Sequence, residues 1–118
     1  MTRDERVYRI MKSLQMSSSY KGYRYLKTAI MMILDDETVL QSFVKRIYAK
    51  IAETCDDTAS NVERNMRHVI RKSYCKPNDE ICMKIFGTIE TKTNKEFIAE
   101  ICEYIKQLEK IEKANNLS

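Results

Sequence analysis

The chain has 118 residues, 43% apolar and 32% charged, with 21 Lys+Arg against 17 Asp+Glu and a formal net charge of +4. That length holds one domain with a modest core and is too short for a barrel or a doubly wound sheet, while the apolar content excludes disorder. Two Gly and one Pro are too few for the frequent turns of an all-β fold, so the expected fold class is all-α, a compact bundle of about six helices, occupying residues 1–118 as a single domain.

The first predicted helix runs from about Asp4 to Leu14, where Val7, Ile10, Met11 and Leu14 form one apolar stripe. Ser17, Ser18 and Ser19 break it. The second runs from about Tyr23 to Leu34 and is apolar on more than one side, which predicts a central, buried position. Its methionines read as core filler. Asp36 is placed to cap a short helix over about Glu37–Phe43. The next predicted helix, about Val44–Thr54, sets Val44, Ile47, Tyr48, Ile51, Ala52 and Cys55 on one face. Asp56-Asp57-Thr58 is a polar turn, with Thr58 a good N-cap for a helix reaching about Tyr74, where Lys76-Pro77-Asn78 ends it. A short helix over about Asp79–Ile85 follows. A long terminal helix over about Asn94–Lys113 then carries Phe97, Ile98, Ile101, Cys102, Ile105, Leu108 and Ile111 on its apolar side.

Several classes of chemistry lack support. The N-terminus is charged and amphipathic, without the apolar core of a signal peptide. The longest apolar run, Ala29–Leu34, is far short of the ~20 residues needed to span a bilayer. The expectation is a cytoplasmic protein with no membrane partner. Cys55, Cys75, Cys82 and Cys102 show no C-x-x-C spacing, and His68 is the only histidine. No metal site is therefore expected, and the thiols read as small core residues. No Gly-rich phosphate loop occurs. The pairs Asp35-Asp36 and Asp56-Asp57 fall between helical patterns, where capping residues belong. No catalytic residue and no cofactor is expected, and the protein is read as not an enzyme.

The charge excess is local. Residues 58–76 carry Arg64, Arg67, Arg71, Lys72 and Lys76 against Glu63 alone, a net +4 that equals the value for the whole chain. At 100° per residue, Val62, Met66, Val69, Ile70 and Ser73 form a buried stripe, and Ser60, Arg64, Arg67 and Arg71 form a ridge directly opposite. Glu63 flanks that ridge on one side, and Asn61 and His68 on the other. Guanidiniums can bond guanine bidentately, Asn favours adenine, and a carboxylate can accept from cytosine N4. A surface that met phosphates alone would need neither Asn61 nor Glu63. Ala52 and Val62 suit the two packing positions of a helix-turn-helix over about 44–75. No Gly occupies its turn, and Asp56-Asp57 is polar there.

At these residues a family resemblance emerges. Thr58-Ala-Ser-Asn-Val-Glu-Arg-Asn-Met-Arg-His-Val-Ile resembles the recognition helix of the C-terminal effector domains of the sporulation master response regulator, stage zero sporulation protein A. Lys21-Gly22-Tyr23-Arg24-Tyr25-Leu26, Ile47-Tyr48 with Ile51-Ala52, Phe86-Gly87, and Thr93-Asn94-Lys95-Glu96-Phe97-Ile98-Ala99 resemble further family segments in the same order. The resemblance implies a bacterial, six-helix transcription regulator that binds promoter DNA through a helix-turn-helix. It also implies adjacent copies on tandem sites and contact with the sigma subunit of RNA polymerase. Ser60, Glu63, Arg64, Arg67 and His68 coincide with the family pattern, and with Asn61, Arg71 and Lys72 they make up the expected DNA-binding set. Asn61 stands where the family has Arg, Arg71 stands near a family Glu, and Glu53-Thr54-Cys55-Asp56 is more acidic than the family stretch. The family protein carries a receiver domain with a phosphorylated Asp, and no such domain is expected ahead of Met1. An excised or stand-alone effector domain, or a paralogue under other control, is therefore expected. The competing expectation is a degenerate relative that binds RNA polymerase or a regulator without reading DNA.

Overall fold

The computed structural model describes residues 1–73, 80–88 and 90–117. All regular structure among them is helical, as expected of an all-α bundle. Helix α1 spans Arg3–Ser13; Thr2 Oγ1 caps it by accepting from the Glu5 amide at 3.1 Å. Asp4 and Glu5 place negative charge where the helix dipole favours it. Val7, Ile10 and Met11 are buried, and Gln15, at φ 61°, turns the chain away.

Helix α2, Lys21–Asp35, is the expected central helix. It buries residues on several sides, including Tyr23, Leu26, Ala29, Ile30 and Ile33, and packs against α1 and against the helices over Ala49–Cys55, Ala59–Ser73 and Asn94–Leu117 introduced below. Asp36 accepts from the Thr38 amide at 3.0 Å and starts a 3-10 segment over Glu37–Ser42. A π-helical segment, Phe43–Tyr48, then feeds α3, Ala49–Cys55. The single helix expected over Val44–Thr54 is thus divided, and Val44 is not on its buried face: it is 66% exposed. The reason is the wider turn. A π segment bonds i to i+5, which shifts the inward face onto Phe43, Ile47 and Tyr48.

Helix α4, Ala59–Ser73, presents Val62, Met66, Val69 and Ile70 to the core at no more than 1% exposure. Burying a side chain of this size stabilises by about 1.5–3 kcal/mol. The Ser73 side chain and the predicted stop at Lys76-Pro77-Asn78 lie outside the described residues. Helix α5 is Glu80–Phe86, and α6 is Asn94–Leu117. In α6, Phe97, Ile98, Ile101, Cys102 and Ile105 are buried. Leu108 is only partly covered and Ile111 is 57% exposed, so the apolar stripe expected through Ile111 stops earlier. Ion pairs rather than apolar cover meet the helix there. Arg3 donates to Glu109 at 2.7 and 3.2 Å and to the Leu34 carbonyl at 2.9 Å, and Arg6 pairs with Glu112.

The cysteines divide. Cys102 is buried, which pushes its thiol up to about 12, and Cys55 is half-buried; both are free. Cys82 is disulfide-bonded, and its partner lies outside the described residues. The expectation of small core residues holds for Cys82 and Cys102, both buried; the reading of Cys82 as a thiol is corrected, and Cys75 lies outside the described residues. No described helix is long and apolar enough to cross a membrane.

Candidate nucleic-acid interface

The site begins in the turn before α4. Asp56 takes the left-handed conformation at φ 54° and closes α3, the position that Gly usually fills. Asp57 then organises the turn: its carboxylate accepts from the Thr58 amide at 2.8 Å, from Asn61 Nδ2 at 3.0 Å and from the Tyr25 hydroxyl at 2.6 Å. These donors, the Tyr25 hydroxyl foremost, lower its pKa to about 2. The same bond raises Tyr25 to about 12, since its ionisation would set two anions side by side. Thr58 caps α4, its Oγ1 accepting from the Asn61 amide at 3.1 Å. Of the two acidic pairs, Asp36 caps a helical segment through its carboxylate, whereas Asp57 braces the cap residue Thr58 instead of capping α4 itself.

Glycine sets how closely α4 lies on α2. A Cβ added at Gly22 would meet the Asn65 carbonyl oxygen at 2.1 Å and Val69 Cγ2 at 2.6 Å. Asn94, buried at 7% exposure, locks the other side of α4. Its Nδ2 donates to the Glu63 carbonyl and to the Tyr48 hydroxyl, each at 3.0 Å. One short-range steric fit and one buried amide therefore hold α4 between α2 and the start of α6.

The outward face follows from that seating. Ser60, Arg64, Arg67, His68, Arg71 and Lys72 are exposed, and Asn61 and Glu63 are half-buried. A shallow depression is lined by Arg64, Arg67, His68, Arg71 and Lys72 alone. The flanking groups are less free than the periodicity implies. Asn61 is held between Asp57 and Arg64, and Glu63 pairs with Arg67 at 2.7 Å. That pair spans one turn of exposed helix and contributes only about 0.3–0.5 kcal/mol, so Arg67 is easily released.

On the α2 side, Tyr20 meets the His68 ring edge-on at 5.6 Å, and its hydroxyl accepts from Lys72 at 3.2 Å. On the other side a cleft of about 690 Å³ separates α4 from the π segment and the start of α6. Lys45, Arg67, Arg71 and Lys95 are among the cations that line it. Tyr20 and the cleft lysines are absent from the residue set expected from sequence. Tyr20, Lys45 and Lys95 lie outside α4, so the charge run that marks the ridge does not reach them; only the fold brings them alongside it.

Comparison with known families places this arrangement. Residues 7–105 match the family described as Sporulation initiation factor Spo0A C terminal. The match spans most of the chain and contains every segment on which the resemblance rests. The protein belongs to this family of DNA-binding regulatory domains that act in sporulation, and the family is not one of enzymes.

Proposed function

We propose that the protein is a sequence-specific transcription regulator that reads the major groove of promoter DNA with α4. In this reading α3, the Asp56–Thr58 turn and α4 form the helix-turn-helix within residues 44–75. The observation that carries it is the exposed ridge of Ser60, Arg64, Arg67 and Arg71, opposite a stripe buried to 1% or less. Fifteen helical residues are about 22 Å long at 1.5 Å each, and a helix fits a major groove about 12 Å wide. Arg64, Arg67 and Arg71 supply bidentate donors for bases, Asn61 and Glu63 edge-reading groups, and Ser60, His68 and Lys72 flanking polar contacts. Self-association on tandem sites and contact with the sigma subunit follow from the family resemblance and belong to the same reading.

Selection from random duplex DNA with the purified protein tests it. One enriched motif is expected, and Arg64→Ala and Arg67→Ala should each weaken binding to it by about 1–3 kcal/mol while the helical signal is retained. Wild-type affinity in both variants would refute the assignment. The competing reading, a protein-interaction module, draws on the tethering of Asn61 by Asp57 and of Glu63 by Arg67. A salt series separates the two, because phosphate contacts make DNA affinity fall steeply with salt.

A further inference from the structure

The geometry points to a second DNA-contacting surface off the recognition helix: Lys45 and Lys95, at the mouth of the cleft beside α4, grip the phosphate backbone along one edge of the major groove. This rests on the reading of α4 as the groove-entering helix. The two lysines come from distant parts of the chain, the π segment and the first turn of α6. The fold brings them to one cleft, which Arg67 and Arg71 of the ridge also line. A duplex lying along the ridge therefore carries one of its backbones over the cleft mouth.

The state of the neighbouring cations selects these two. Arg46 pairs with Asp36 at 3.5 Å, and Lys92 pairs with Glu100 at 3.3 Å with its side chain 16% exposed. Lys45 and Lys95 are both exposed, and among the described residues neither enters an ion pair. Two cations are thus held beside the ridge with no ion-pair partner among the described residues, since Glu63, the carboxylate that also lines the cleft, is engaged by Arg67. The opposite flank is built in the same sense, with Lys72 set against Tyr20. Cations on both flanks of a reading helix match the two backbones that bound one major groove. Phosphate contacts of this kind fix register and carry no base information.

An acidic peptide is the other anion that this cleft fits, since exposed Val44 lies at its edge. Such a peptide would have no use for the mirrored flank.

The test is duplex binding by Lys45→Gln/Lys95→Gln across a salt series, on a selected duplex and on a scrambled one of equal length. Each phosphate contact contributes about 0.9 to the slope of log affinity against log salt, so the double variant should lose about 1.8. The ratio of selected to scrambled affinity should stay at the wild-type value, as should the thermal midpoint. Lys45→Arg/Lys95→Arg should keep the wild-type slope. An unchanged slope in the glutamine variant overturns the inference. A collapse of the selected-to-scrambled ratio also overturns it, because the lysines would then be reading bases. So does binding of a labelled glutamate-rich peptide that the glutamine variant loses while its duplex affinity stays wild type. If wild type itself shows no salt-sensitive duplex binding, the reading of α4 fails and this inference with it. Failure of the lysines alone leaves that reading standing.

Discussion

Replacing Gly22 with alanine tests the seating of α4 most directly. The added Cβ would lie 2.1 Å from the Asn65 carbonyl oxygen, about 1.3 Å inside the 3.4 Å at which ordinary contact begins. The obstructing atom is backbone, so no side-chain rotation relieves it. Either α2 and α4 separate, which opens gaps around Val62, Met66 and Val69, or both backbones distort. Overpacking of a core costs about 1–3 kcal/mol and sometimes more, and backbone on both sides puts this case at the upper end. Alanine also gains up to about 1 kcal/mol over glycine as a helix former, which acts in the opposite direction. The net loss is therefore about 2 kcal/mol. For a chain of this size each kcal/mol moves the thermal midpoint by roughly 3–5 °C, so a fall of roughly 6–10 °C is expected in a circular-dichroism melt. An unchanged or raised midpoint would mean that helix propensity outweighs the clash, and the close approach of α2 and α4 would be refuted.

Two further predictions concern the supports of α4. Asn94→Ala leaves the Tyr48 hydroxyl and the Glu63 carbonyl without their buried amide, at a cost of about 1–3 kcal/mol, measurable by urea denaturation. The same variant should leave the α-helical signal of the folded state in place. Asp57 titrates lower in the folded protein, at about 2, than its ordinary 3.8. Its contribution is therefore complete above 3.8 and is lost as pH falls towards 2. Asp57→Asn should reduce the drop in thermal midpoint across that interval relative to wild type. Equal drops would show that other carboxylates govern the acid transition.

The helices legible in the sequence are those whose apolar residues recur at helical spacing and whose ends carry caps. Val62, Met66, Val69 and Ile70 fix the buried face of α4, and with it the ridge opposite. Thr58, Asp36 and Asp57 mark starts through side-chain bonds one to four residues long, which a local reading recovers. Helical spacing points Val44 inward only if 3.6 residues per turn hold throughout, and the π segment departs from that period. Ile111 keeps its helical register but stays 57% exposed, a tertiary matter that periodicity does not record. The flanks of the ridge are tertiary as well. Tyr20 reaches Lys72 across 52 residues and Asn94 reaches Tyr48 across 46, and nothing in either neighbourhood announces the partner.

The π segment over Phe43–Tyr48 makes the length of the chain at this point consequential. A π turn holds one residue more than an α turn. Removing a single residue here would let the segment relax into an ordinary helix continuous with α3. Because the wider turn already absorbs that residue, its loss would leave the segments on either side at nearly their present rotation about the axis. The same deletion inside α3 would turn its flanks by about 100° relative to one another. A one-residue deletion is thus better tolerated in the π segment than in the helix it feeds, and its local effect would fall on which of Phe43 and Val44 faces the core.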